Sequence, residues 1–170
     1  MLWFQKLLGL IRKKALMIRI NIISKNELWK RYLKNPNTFI QNKINKFNKK
    51  FRMYKKNTMF CTIVLSGNSE IKKLNKKFRK KNKTTDVLSF PFYTKSELKK
   101  KIKNTKEIYI GDIIVNLNKI KNKNSKTNFK IEFNKLWIHG LVHLFGYDHK
   151  NDLDFFRMNK VEKKFISYLN

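Results

Sequence analysis

Residues 133–149 read FNKLWIHGLVHLFGYDH. From Phe133 to Phe145 the run is apolar nearly all round, which predicts a buried central helix near the C-terminus. All three histidines of the chain fall in its last eleven residues, at His139, His143 and His149. Four residues of α-helix turn about 400° and rise about 6 Å, so His139 and His143 project from one face, one turn apart. Gly146 is placed to end the helix in a left-handed conformation. The chain can then turn back and carry His149 to the other two. Neutral imidazole is a zinc ligand, and three protein ligands leave one coordination position open, the mark of a catalytic rather than a structural metal. A lone His on an apolar helix is usually a core residue. Three at this spacing, with no other histidine in the chain, predict one zinc ion per chain held by His139, His143 and His149.

Working outward, the punctuation is that of an α+β (mixed α/β) domain: a small mixed sheet of about four strands packed with helices. Arg19–Ser24 alternates and predicts a strand. Leu28, Trp29, Tyr32 and Leu33 have helical spacing, with Pro36 as the stop. A second helix carries Ile40, Ile44, Phe47 and Phe51 inward. Thr58–Leu65 is a strand, and Ser66-Gly67-Asn68 a turn. Ser69 is placed to cap a helix that has Glu70 in its first turn and buries Ile71, Leu74 and Phe78. Asp86–Phe90 reads as a short strand stopped by Pro91. Thr94–Lys106 is basic and poorly patterned, and reads as a mobile loop. Glu107–Asn116 is a strand in which Gly111 marks a bulge or a close backbone approach. Lys119–Lys130 is polar, and a last helix buries Phe155, Met158, Val161 and Phe165.

Composition narrows the function. The chain has 170 residues, with 41 Lys and Arg against 11 Asp and Glu, a formal net charge of +30. An acidic partner is expected: RNA, DNA or anionic membrane. Abundant Lys, Asn, Ile and Phe, with Ala15 the only alanine, is also the usage of an AT-rich genome, so drift and nucleic-acid binding both account for the charge. One cysteine excludes a disulfide framework and a Cys-rich zinc finger. Met1–Ile18 is too interrupted by Lys6, Arg12, Lys13 and Lys14 to span a membrane, and it lacks the order of a secretory signal. The expected location is the cytoplasm, without stable membrane insertion. Residues 1–16 read either as a dispensable extension, with Met17 as the true start, or as a basic amphipathic helix at a membrane surface. Residues 17–170 read as one domain, of open oligomeric state.

The histidine spacing is that of the metzincin proteases, HExxHxxGxxH, but Gly140 stands where those enzymes carry the Glu that acts as general base. Peptidase chemistry is therefore disfavoured. His139–His149, HGLVHLFGYDH, instead resembles the YbeY endoribonucleases, whose signature is HGxxHLxGYDH. Leu74, Asn75, Phe78 and Arg79, then Thr85–Pro91 (TDVLSFP), are similar to a second block of that family. Gly111-Asp112-Ile113 is similar to a third, and Met158 and Glu162 follow at family-like distances. Thr84 departs from the usual Pro, and residues Met1 to about Leu16 have no counterpart. The resemblance implies a small mixed sheet packed with helices and a metal in a basic cleft. It also implies a zinc-dependent endoribonuclease that cuts single-stranded RNA, matures the 3′ end of small-subunit (16S) rRNA and serves ribosome quality control. rRNA and ribosomal proteins are the implied partners. By family position Arg79 joins His139, His143 and His149 as a catalytic group; by composition alone it is a surface arginine. Asp148 orients a ligand histidine or caps a turn. Asp86 and Ser89 shape the cleft, while Lys76–Lys83 and Lys95–Lys106 hold RNA backbone or are simply solvated. Two other readings stand beside this one: a zinc hydrolase with a non-RNA substrate, and a non-catalytic ribosome-associated module whose structural zinc takes Asp148 or Cys61 as fourth ligand.

Overall fold

A computed structural model describes residues 17–51, 57–149 and 151–170. The reading of residues 1–16 lies outside them.

Alternation in Met17–Ser24 forms strand β1, which buries Ile18 and Ile20 and leaves Arg19 and Asn21 in solvent. Helix α1, Pro36–Lys50, crosses to the parallel strand β2, Thr58–Ser66, as a parallel pair requires. The remaining elements are α2 (Asn68–Arg79), β3 (Val87–Pro91), α3 (Lys95–Asn104), β4 (Glu107–Asn116), α4 (Lys126–Leu144) and α5 (Asp152–Ser167). The sheet order is β1-β2-β4-β3, with β3 antiparallel at one edge and the other pairings parallel. This is the expected mixed four-stranded sheet packed with helices.

Gly111 is both a bulge and a close approach. Phe60 pairs with Tyr109 but Cys61 pairs with Gly111, so Ile110 is the extra residue. The insertion reverses which face each later residue takes. Ile108 and Ile110 join the main core before it, Ile113 and Val115 after it, while Ile114 joins a smaller cluster with Ile71 and Leu88. Gly111 has φ +129°, and a Cβ there would lie 2.1 Å from the Phe90 carbonyl oxygen.

Several local expectations are corrected. Leu28–Leu33 yields only a five-residue 3-10 turn, Glu27–Arg31, and Pro36 opens α1 instead of closing a helix. A first-turn proline forfeits no hydrogen bond, and the Asn35 side chain caps the same end through Thr38 N–H. Gly67, not Ser69, is the N-cap of α2. Thr94–Lys106 is not a loop: α3 starts in a capping box between Thr94 and Glu97 and buries only Leu98. With only Leu98 and the partly buried Ile102 facing inward among lysines, the 3.6-residue period is faint. α4 starts at Lys126, capped by Ser125, and already buries Phe129. Phe78 and Phe155 are exposed rather than core.

Candidate metal centre

α4 lies against β3 and β4, and this contact sets the site. Gly140 is fully enclosed at the crossing, and a Cβ there would sit 2.6 Å from Ile113 Cγ2. The residue after the first histidine thus faces the sheet, not the cleft. A glutamate has no room there without a shift of Ile113.

The helix ends as the glycine predicts. Gly146 takes φ +80°, its N–H bonds the His143 carbonyl at 2.8 Å, and Tyr147 N–H bonds the Val142 carbonyl at 3.3 Å. That pair of bonds is a Schellman motif. A side chain at residue 146 would also strike the Lys95 backbone, since a Cβ would lie 2.8 Å from its Cα.

The reversal brings the third histidine home. One ligand-type nitrogen from each of His139, His143 and His149 lies within 4.8 Å of the others. His139 Nδ1 is 2.6 Å from Glu162 Oε1, and His143 Nδ1 is 2.9 Å from the Tyr147 carbonyl oxygen. Both partners are acceptors, so both rings donate from Nδ1 and expose a lone pair at Nε2. The two Nε2 atoms face each other at 3.1 Å. Lone pairs at that distance repel unless a cation lies beside both. Tetrahedral zinc at about 2.0–2.1 Å from nitrogen spans an edge of roughly 3.3 Å, so the donor set fits such an ion. Burial, then the neighbouring His139 charge, pull the His143 pKa down, against the opposing pull of the Tyr147 carbonyl and Asp148. The neutral, metal-ligating form is favoured.

Cys61 lies in the main core on β2, where burial and then Asp112 push its thiol up to about 12. It is not part of the histidine cluster. Asp148 accepts the His149 backbone N–H at 2.9 Å, and so holds the turn that carries His149.

Arg79 ends α2, where Lys80 turns left-handed at φ 57°. Its Nη2 donates to the Ser89 carbonyl at 3.2 Å. A cleft of about 450 Å³ is lined by Arg79 together with His139, His143 and His149, and Lys81 and Lys83 add positive charge. Asp86 and Ser89 line the same cleft. The Asp86 carboxylate already accepts from Val87 N–H and the Thr85 hydroxyl, at 2.8 and 3.0 Å, so it shapes the wall. Two buried asparagines hold the intervening loop: Asn75 donates to the Lys83 carbonyl and Asn116 to the Thr85 carbonyl. In a chain this rich in Asn, residue type alone does not single them out; Asn75 stands out only by its place in the Leu74–Arg79 block. Glu162 could be singled out only by its distance from the motif.

An α+β domain in which a buried helix and the turn after it bring together three histidines able to hold a metal ion, beside an arginine in a basic cleft, is the class that fold and site define. The Endoribonuclease YbeY family model matches residues 22–170, and the chain belongs to that family. It is 42% identical over 156 residues to Endoribonuclease YbeY of Pelagibacter ubique, covering 90% of this chain and 97% of that one. The corresponding protein of Ehrlichia canis is 34% identical, with 90% and 93% covered. The solution structure of TM1509 from Thermotoga maritima is similar at TM-score 0.54 and 25% identity, covering 89% of each chain.

Proposed function

We propose that the protein is a zinc-dependent, single-strand-specific endoribonuclease. It matures the 3′ end of small-subunit (16S) rRNA and serves ribosome quality control in the cytoplasm, alongside ribosomal proteins. Residues 17–170 are the catalytic unit and residues 1–16 a dispensable extension. Among the described residues no helix is long and apolar enough to cross a membrane. The observation that carries this reading is the placement of Arg79 in one cleft with the three histidines.

His139, His143 and His149 hold the ion, one zinc per chain. When bound there, zinc supplies Lewis-acid chemistry: activation of an attacking oxygen near neutral pH and relief of charge on phosphate. Glu162 and the Tyr147 carbonyl keep the Nδ1 protons in place, so that Nε2 stays free to ligate. Arg79 shares the negative charge that grows on the phosphate as it becomes pentavalent, and its planar fork can do so through two hydrogen bonds. Lys81 and Lys83 neutralise neighbouring phosphates of the strand.

The test pairs metal analysis with RNA cleavage. One zinc per chain, nitrogen and oxygen but no sulfur in X-ray absorption, and cleavage of single-stranded rRNA fragments abolished by His143→Ala are expected. Sulfur coordination, or a metal-loaded chain without ribonuclease activity, overturns the reading. Removing residues 1–16 should leave both measurements unchanged.

A further inference from the structure

Phe92 is 63% exposed, and unlike the equally exposed Phe156 it belongs to a cluster of rings that borders the histidine site. It is not at a loose loop tip. Its N–H bonds the Ile110 carbonyl at 3.0 Å, just past the point where Pro91 pairs with Gly111. Its ring is held edge-on by Tyr93 and Tyr109, at centroid distances of 5.0 and 5.8 Å. Tyr109 in turn meets Phe60, itself 40% exposed, at 5.4 Å. A strip of rings therefore leads away along the sheet. Its near end lines a cleft of about 570 Å³ together with Arg79, His143 and His149.

We infer that Phe92 is a base-stacking subsite: an unpaired nucleobase beside the scissile phosphate lies on its exposed face. The inference rests on the endoribonuclease reading and adds to it a physical basis for preferring single strands. Every base has a π-face, but in a duplex those faces are covered by neighbouring bases, so only an unstacked strand can use the ring. The charge around the strip suits the rest of the ligand. Lys95 lines the same cleft, and Lys101 Nζ lies 5.9 Å from the Tyr93 ring, so phosphates find cations while a base meets Phe92.

The experiment measures binding of labelled single-stranded and hairpin oligoribonucleotides to the full, zinc-loaded chain by fluorescence anisotropy across a salt series. Phe92→Leu keeps apolar bulk but removes the π-face; Phe92→Tyr keeps both. The control is Phe156→Leu, an equally exposed phenylalanine on α5 that lines neither cleft. Phe92→Leu should weaken single-strand binding at least roughly 5-fold, the low end of the cost of losing one stacked base. Phe92→Tyr and Phe156→Leu should bind as wild type. The salt slope should be unchanged in Phe92→Leu, because no phosphate contact is lost. Replacing the bases of the oligonucleotide by abasic sites should abolish the difference between Phe92→Leu and wild type. Wild-type affinity in Phe92→Leu, or an equal loss on the hairpin, overturns the stacking subsite and leaves the endoribonuclease reading standing. A wild-type chain that binds no single-stranded RNA overturns both.

Discussion

Gly140 and Ile113 are in contact at the crossing of α4 and β4, so close that a Cβ on the glycine would fall 2.6 Å from Ile113 Cγ2. The contact presses the histidine helix onto the sheet and turns the position of the absent peptidase base away from the cleft. Two opposing effects meet in Gly140→Ala. Helix propensity favours alanine by about 1 kcal/mol. Overpacking against a β-branched side chain with little rotamer freedom costs about 1–3 kcal/mol. A net loss of stability is expected in chemical denaturation, larger for Gly140→Glu, with no peptidase activity gained. In an Ile113→Ala background the Gly140→Ala penalty should shrink, because the atoms that clash are gone. Full additivity of the two changes would show that the crossing does not limit residue 140.

Glu162 should control metal affinity more than fold. Its carboxylate accepts from His139 Nδ1, and partners of this kind are worth about 10- to 100-fold in affinity. Glu162→Ala should lose that factor in zinc competition with a chelator while the thermal transition of the metal-free protein barely moves. Glu162→Gln, which keeps a carbonyl acceptor, should fall between the two. Unchanged zinc affinity in Glu162→Ala would make the contact incidental.

Arg79→Ala should slow RNA cleavage by roughly 10²- to 10³-fold, the usual cost of removing a donor aimed at developing charge. Zinc content should be unaffected, since Arg79 is no ligand, and stability nearly so, since its hydrogen bond to Ser89 is made by an exposed side chain. Arg79→Lys should recover only part of the rate, keeping charge but losing the fork. A wild-type rate in zinc-loaded Arg79→Ala would remove this residue from the reaction.

Cys61 should be silent to thiol reagents in the native protein at pH 8, reacting only as fast as the chain unfolds. Its folded pKa is raised to about 12, and an unfolded cysteine titrates near 8.5. Between these values the folded chain holds the proton and the unfolded chain has released it. The stabilisation from keeping the thiol neutral is thus complete below about pH 8.5 and is lost as pH rises toward 12, at up to about 1.4 kcal/mol per pH unit. Tyr109, raised to about 12 by burial and then its hydrogen bond to Asp112, adds a loss of the same sign above pH 10. Denaturation curves across pH 8–11 should show the decline, and Cys61→Ala should remove its lower part. A pH-independent midpoint would place the thiol in contact with water.

Short-range geometry was legible in the residues. The 3.6-residue turn puts His139 and His143 on one face whatever surrounds the helix, and Gly146 ends it because only glycine enters the left-handed region at no cost. Alternation named β1, the apolar run Thr58–Leu65 read as β2, and Gly111 marked the bulge. Tertiary structure alone decided the rest. Glu162 meets His139 only because α5 folds back on α4, and Arg79 shares a cleft with the histidines only because β3, whose Ser89 carbonyl it bonds, pairs with β4 at the sheet edge. No local period encodes which strands neighbour one another. Exposure of Phe78, Phe92 and Phe155 was hidden for the same reason: a phenylalanine is written identically whether a neighbour covers it or not. The one-residue insertion at Ile110 sends Ile113 toward Gly140 and Ile114 toward α2, a choice made by the pairing with β2 and not by the run of isoleucines itself.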